Sequence, residues 1–130
     1  MNMRKQYHFR QSSRGLLAWD VHRLVDLCRN MQPEEIPLSS IKELDEEFWY
    51  GLDGNSPTCR SVALHAKLIM EVNLDHPVIL SSEGRVMDGM HRVCRALIKG
   101  KGSIMAYRFQ VDPEPDFIGI SPRDLSYGDQ

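Results

Sequence analysis

Hydrophobic positions between residues 77 and 97 follow two different periods in close succession. Residues 77–80, Pro-Val-Ile-Leu, form a wholly apolar run that is typical of a central β-strand. A Ser-Ser-Glu-Gly turn then leads into a second short strand, Arg85-Val86-Met87. From residue 89 to residue 99 the apolar side chains recur at three- and four-residue spacing, which predicts a helix. The pattern therefore predicts a β-hairpin that leads directly into a helix.

Two more amphipathic helices are predicted upstream of this hairpin. Asp20 caps the first, whose apolar side chains recur at helical spacing until Pro33 stops it. Thr58 caps the second, over residues 59–72, and His65 lies on its flank. So many apolar side chains fall on or beside one stripe that we expect the second helix to be largely buried. Its apolar stripe consists of Val62, Leu64, Ala66, Leu68, Ile69, Met70 and Val72.

Strands at residues 35–38 and 103–109 complete the predicted sheet. Pro37 places the first of them at a sheet edge, because proline has no N–H to donate to a strand ladder. Both ends of the chain lack helical or strand periodicity. We therefore predict that residues 1–15 form a basic arm, mobile or draped over the domain, and that residues 112–130 form an extended tail.

Composition limits the class of protein. A chain of 130 residues with 42% hydrophobic content buries one core, so we predict a single α+β domain over residues 1–130. A net charge of −2 and the lack of a helix-turn-helix pattern argue against sequence-specific DNA binding by this chain alone. Three cysteines without a Cys-x-x-Cys pair indicate a reducing, cytoplasmic location, and we expect no membrane span.

Basic residues are concentrated around the start of the third predicted helix. This helix opens at Asp88-Gly89-Met90-His91-Arg92, where free backbone N–H groups and the positive end of the helix dipole lie beside a guanidinium and an imidazole. Such a junction can hold a phosphate. We therefore predict that Gly89, Met90, His91 and Arg92 bind a phosphate-bearing ligand, and that Met90 faces the core.

Each of these residues also has a simpler interpretation. Three roles are open for Asp88: an N-cap of the helix, a catalytic residue, or a magnesium ligand beside a phosphate. Two roles are open for Arg92, which either binds the anion or pairs with a carboxylate. His91 either acts in binding or proton transfer or is merely solvated, and Arg95 is a secondary candidate for the same site. His65 is either a core histidine or, if the fold brings the two helices together, one of a pair of metal ligands with His91. No third ligand lies at a diagnostic spacing, so we predict no metal site.

The Asp-Gly-Met-His-Arg motif between a hairpin and a helix resembles the ParB/sulfiredoxin-like superfamily over roughly residues 34–109. The chain is most similar to small stand-alone bacterial ParB-like proteins, which share a Trp-Asp helix start, here Trp19-Asp20, and a Pro-Val-Ile-Leu strand. The resemblance implies an α+β fold with a small mixed β-sheet flanked by helices. It also implies nucleotide phosphates held by backbone amides and Arg92.

Departures from three members of the superfamily narrow the expected function. Met90 replaces the cysteine of the sulfiredoxin motif, so we expect no sulfinic-acid chemistry. Partitioning proteins add a helix-turn-helix domain, and this chain ends about twenty residues after its last predicted strand, so we expect no centromere binding. Free-serine kinases use an upstream glutamate as a base, and spacing does not choose among Glu34, Glu35 and Glu47.

The sequence therefore predicts binding of a phosphate-bearing small molecule, with a nucleotide, with or without Mg²⁺, as the favoured ligand. Turnover by nucleotide-dependent phosphotransfer or hydrolysis stays open, with Asp88 and His91 as the catalytic candidates. The alternative is a non-catalytic protein-interaction or regulatory module with a vestigial pocket. Phe48, Trp49 and Tyr50 either stack on a base or cover the core.

Overall fold

A computed structural model describes residues 6–51 and 56–126, and within these ranges it contains three α-helices and seven strands. The helices are α1 (Val21–Leu27), α2 (Cys59–Glu71) and α3 (Met90–Ile98). The strands are β1 (Tyr7–Ser12), β2 (Gly15–Asp20), β3 (Glu34–Pro37), β4 (Val78–Leu80), β5 (Val86–Asp88), β6 (Ser103–Arg108) and β7 (Phe117–Ile118). The chain is thus a mixed α+β protein with two small sheets.

Four strands form a mixed sheet in the order β3-β6-β4-β5. β4 runs parallel to β6, whereas the β3–β6 and β4–β5 pairs are antiparallel. All three residues of β4 are buried, which confirms the predicted central strand. β3 ends at Pro37 on the sheet edge, as the proline predicts.

One face of this sheet packs against α3 and forms the larger core cluster. Val78, Leu80 and Val86 point to this face and contact the buried side of α3, which includes Val93. Met90, at the start of α3, is 5% exposed and belongs to the same cluster, which confirms the prediction that it faces the core. The position of α3 over the sheet fixes where its first turn lies.

The other sheet was not predicted. β1 pairs antiparallel with β2 over its whole length, from Tyr7 opposite Asp20 to Ser12 opposite Gly15. The prediction of an irregular arm is therefore wrong for residues 7–12, and residues 1–5 lie outside the described residues. β1 is half-buried without strict alternation of apolar and polar side chains, so its order comes from hydrogen bonding to β2 rather than from a pattern of its own.

The polypeptide after residue 111 runs along the outside of this second sheet. β7 pairs with β2, and the indole N–H of Trp19 donates to the carbonyl oxygen of Pro113 at 2.8 Å. Asp112 accepts hydrogen bonds from Arg10 and from the backbone N–H of Ser82. This segment contains the short strand β7 and, at Pro122–Asp124, one turn of 3₁₀ helix, so it is not extended throughout.

Both helix caps predicted from sequence are present, but the burial predicted for α2 is wrong. Asp20 accepts a hydrogen bond from the N–H of His22, and Thr58 forms a capping box with Ser61. No residue of α2 is buried, because the helix packs mainly on α3 and otherwise contacts only side chains such as Trp49 and Tyr50, so only a narrow stripe is covered. Its exposed apolar residues are Val62 (51% exposed), Leu64 (57%), Leu68 (45%) and Met70 (60%).

The helices of the described residues are too short or too polar for a transmembrane span.

Candidate functional site

The first turn of α3 opens on a glycine that no other residue could replace without strain. Gly89 is the N-cap of α3 and has a φ of 103°, a conformation that residues with a Cβ rarely adopt. A Cβ at this position would lie 2.7 Å from Cγ1 of Val78 and 2.8 Å from Nη2 of Arg92. No side chain among the described residues caps α3. The N-cap interpretation of Asp88 is therefore wrong.

Asp88 instead pairs with Arg92, one turn further along α3. Nη2 of Arg92 donates to Oδ2 of Asp88 at 2.9 Å, and Nη1 donates to the carbonyl oxygens of His76 and Pro77 at 3.1 and 3.3 Å. The Arg92 side chain is 16% exposed. Arg92 thus ties the end of β5 to the segment before β4, as the ion-pair interpretation predicts, and its guanidinium lies directly against Gly89.

Burial raises the pKa of Asp88 above its usual value, and this effect outweighs the lowering by Arg92. Burial removes water from the charged carboxylate, and this desolvation opposes the attraction between Asp88 and Arg92. An anion that reached Arg92 would compete with Asp88 for the same guanidinium.

His91 and His65 meet across the interface between α3 and α2. Nδ1 of His65 lies 2.8 Å from Nε2 of His91, with the ring centroids 5.1 Å apart and the planes inclined by 22°. Two imidazole rings stacked face to face would have closer centroids than this. Because two nitrogens face each other at hydrogen-bond distance, the rings lie edge to edge in nearly one plane. The structure therefore brings together the two histidines that sequence alone left uncertain.

The indole of Trp49 covers this plane of two imidazoles. Its ring centroid lies 4.1 Å from that of His65 and 4.6 Å from that of His91, with the planes within 19° of parallel. Tyr50 adds an edge contact to His65, and its hydroxyl hydrogen-bonds to Ser61 at 3.1 Å. The sequence leaves open whether these aromatic residues stack on a base or cover the core. Trp49 and Phe48 pack against the main core, so they cover it.

Burial lowers the pKa of His65 below its usual value. Burial, and the repulsion that arises if both rings carry a proton, lower the pKa of His91 to about 4, so His91 is neutral at pH 7. A neutral imidazole has one donor and one acceptor nitrogen, so one ring donates to the other within the pair. The outer nitrogens, Nε2 of His65 and Nδ1 of His91, then carry one proton between them.

Arg95 does not reach the first turn of α3. Its Nη1 donates to the carbonyl oxygens of Met70 at 2.7 Å and Ile69 at 3.5 Å. A cation at these carbonyls stabilises the C-terminal end of α2. Arg95 is therefore bound to α2, and its assignment as a ligand-binding residue is not supported by its contacts.

The described residues contain no group of three or more His, Cys, Asp or Glu side chains that could hold a metal ion. Asp88 is engaged by Arg92 and belongs to no such group within the described part of the chain, so the residues around it do not fit a magnesium site of their own. His65 and His91 point their facing nitrogens at each other rather than at a common third point.

The sequence does not predict the roles of two residues near α3. Trp49 covers the histidine pair, and Glu43 is a buried carboxylate. Glu43 is 3% exposed, and its Oε2 accepts from the N–H of Val86 at 2.8 Å and lies 3.2 Å from Nε of Arg85. Among the described residues, its other oxygen, Oε1, has no hydrogen-bond partner. The sequence signal was only that Glu43 falls in an acidic run.

No protein family, curated protein or solved structure matches this chain.

Proposed function

We propose that this protein binds a small phosphate-bearing molecule, with a nucleotide as the favoured class, over the first turn of α3. The observation that carries the proposal is that α3 opens on Gly89 without a capping side chain, while the guanidinium of Arg92 lies against that glycine. The first amides of a helix lack intrahelical partners, and the helix dipole favours negative charge at this end. Amides and guanidinium together match the oxygens of a phosphate.

Arg92 binds the phosphate by exchanging partners. Asp88 occupies the guanidinium, and its carboxylate repels an anion that approaches Arg92. A phosphate on the first turn takes over the Asp88 contact, while the bonds from Nη1 to His76 and Pro77 hold Arg92 in place. Asp88 therefore acts as a competitor of the ligand in this proposal.

The histidine pair supplies proton transfer if the bound molecule is turned over by phosphotransfer or hydrolysis. A proton accepted at Nδ1 of His91 allows the proton on Nε2 to pass to Nδ1 of His65, which releases the proton on its Nε2. Charge does not accumulate on the pair, and both rings end in the other tautomer. The contact supports His91 as the catalytic candidate over Asp88, which is held by Arg92.

We also propose that the chain is a divergent member of the ParB/sulfiredoxin-like superfamily. Its support is the order of elements, in which a β4–β5 hairpin in a mixed sheet leads into α3 at the Asp-Gly-Met-His-Arg motif. Met90 is buried, so the position of the sulfiredoxin cysteine is occupied here by a core side chain. A cytoplasmic location follows from this assignment.

The experiment measures binding of inorganic phosphate, ATP and adenosine by calorimetry and thermal shift. Phosphate and ATP should bind to the wild-type protein, and Arg92→Ala should weaken both. Asp88→Asn should strengthen both, because it removes the competing charge and keeps an oxygen for Arg92. Arg29→Ala is the control, since Arg29 is 73% exposed and pairs with Asp26 rather than with Asp88.

Two results would contradict the proposal. One is that neither phosphate nor ATP binds to the wild-type protein. The other is that Arg29→Ala and Arg92→Ala weaken binding equally, which would indicate non-specific attraction to positive charge. Because Asp88→Asn is expected to change affinity in the opposite direction to Arg92→Ala, misfolding of one variant cannot produce the predicted pair of results.

A protein-interaction role is the second candidate, and one observation favours it. The exposed apolar residues of α2 flank the stripe that packs on α3, and Leu97 and Ile98 at the end of α3 are also more than half exposed. Apolar patches of this kind mark contact surfaces. Sedimentation of the wild-type protein beside Leu64→Glu tests whether the surface pairs two copies of the chain. A wild-type protein that stays monomeric at high concentration argues against such pairing.

A further inference from the structure

Helix α2 contacts the rest of the protein through one narrow stripe. None of its 13 residues is buried, and the half-buried ones are Ser61, His65 and Ile69. A helix of this length is only marginally stable in water by itself, so packing has to supply most of its stability. The exposed apolar side chains of α2 therefore offer contact area that the rest of the described chain does not use.

One exposed face of α2 has an apolar centre and a charge at each end. Leu64 and Leu68 are 57% and 45% exposed. Helical spacing puts Arg60 and Glu71 on the same face, one before and one after the two leucines. The two charges lie about three turns apart, which is too far for an ion pair within one helix. Neither has an ion-pair partner in the part of the chain that the structure describes. Lys67 also lies on this face, where its alkyl chain covers apolar surface and its ammonium group stays in water.

Both charges lie at the end of α2 where the helix dipole disfavours them. Acidic side chains in the first turn and basic side chains in the last turn stabilise a helix. α2 has neither; it carries Arg60 near its start and Glu71 as its last residue. An antiparallel copy of the same helix corrects this, because it brings Glu71 of the second copy to the N-terminus of α2 and Arg60 of the second copy to the C-terminus. The charge pattern of this face is therefore complementary to itself in the opposite direction.

We infer that α2 pairs antiparallel with α2 of a second copy of this chain. Leu64 and Leu68 of the two copies pack against each other at the centre, and Arg60 of each copy forms an ion pair with Glu71 of the other. A two-fold axis relates the two helices, so every contact is made twice. The inference rests on the protein-interaction candidate and names its partner. It does not require phosphate to bind, since none of these contacts involves Gly89 or Arg92.

The test measures the molecular mass of the protein by sedimentation equilibrium at pH 7. A reducing agent is present throughout, because Cys59 is exposed and could form a disulfide between copies. An interface of one helix pair is small, so we expect a monomer–dimer equilibrium with a dissociation constant of about 10–100 μM. Protein concentrations that extend tenfold to either side of this range define the equilibrium.

Charge reversal tests which residues face each other. Arg60→Glu alone brings two carboxylates together at each end of the interface, and Glu71→Arg alone brings two guanidinium groups together. Each should weaken the dimer at least tenfold. Each also gives α2 a charge that its dipole favours, so a less stable helix does not account for the loss.

An equimolar mixture of the Arg60→Glu and Glu71→Arg proteins should form a mixed dimer about as tight as the wild-type dimer, because opposite charges then meet at both ends. This rescue needs no further substitution and occurs only if both variants are folded. Arg14→Glu is the control, since Arg14 is exposed in the turn between β1 and β2 of the other sheet. It makes the same change of charge as Arg60→Glu and should leave the dimer unchanged.

The inference is overturned if the wild-type protein stays monomeric at about 1 mM, if the mixture of the two variants associates no more tightly than either variant alone, or if Arg14→Glu weakens the dimer as much as Arg60→Glu does. Phosphate binding measured in parallel separates this inference from the proposed function. Arg60→Glu should leave phosphate binding intact, and Arg92→Ala should leave the dimer intact. A dimer that does not bind phosphate would contradict phosphate binding alone.

Discussion

Replacement of Gly89 by alanine tests the geometry on which the candidate site depends. The new Cβ would meet Cγ1 of Val78 at 2.7 Å and Nη2 of Arg92 at 2.8 Å, both closer than Cβ atoms approach in proteins. A φ of 103° adds a backbone penalty of roughly 1–2 kcal/mol for any residue other than glycine. Overpacking against Val78, which is fully buried, adds about 1–3 kcal/mol. Gly89→Ala should therefore destabilise the protein by roughly 2–5 kcal/mol.

Gly100 provides the matched control for this substitution. It also has a positive φ, of 74°, but a Cβ there would meet nothing within 4 Å. Gly100→Ala should therefore cost only the backbone penalty, about 1–2 kcal/mol. Urea denaturation gives the free energy of unfolding of each variant. Equal losses for Gly89→Ala and Gly100→Ala would refute the close packing of Gly89 against Val78 and Arg92.

Three further predictions follow from the same contacts. Met90→Ala should lower the free energy of unfolding by about 2–5 kcal/mol, because it empties a buried site; an unchanged denaturation midpoint with lost phosphate binding would instead place Met90 in the ligand site. The pKa of His91 is lowered to about 4, so the unfolded chain binds a proton here at a higher pH than the folded protein does. The free energy of unfolding should therefore be greatest above pH 6.5 and decrease as the pH falls towards 4. Urea melts across this range should show a smaller decrease for His91→Asn. A gel shift with duplex DNA at roughly 150 mM salt should show no sequence-selective retention.

The β4–β5–α3 junction could be predicted because its signals are local. A fully apolar run, a Ser-Ser-Glu-Gly turn and a helical period each depend on neighbouring residues alone, and the caps at Asp20 and Thr58 are equally local. The same holds for Met90, whose burial follows from its place in the apolar series of α3.

The errors concern residues whose state depends on distant parts of the chain. The residues of β1 become a strand through pairing with β2, and no periodicity in β1 itself shows this. The apolar spacing of α2 predicts an amphipathic helix, but a sequence does not reveal how much surface the packing partner provides. The 2.8 Å contact of His65 with His91 and the open oxygen of Glu43 likewise arise only when separate elements pack together.

The most direct test of the proposed function is a ¹H–¹⁵N NMR titration with inorganic phosphate and then with ATP. If the first turn of α3 binds phosphate, the backbone amide signals of residues 89–92 should shift together and saturate, and the side-chain signals of Arg92 should follow them. Amide signals at residues 89–92 that stay fixed while the protein is exposed to either ligand, or shifts confined to other basic regions, would contradict phosphate binding at the start of α3.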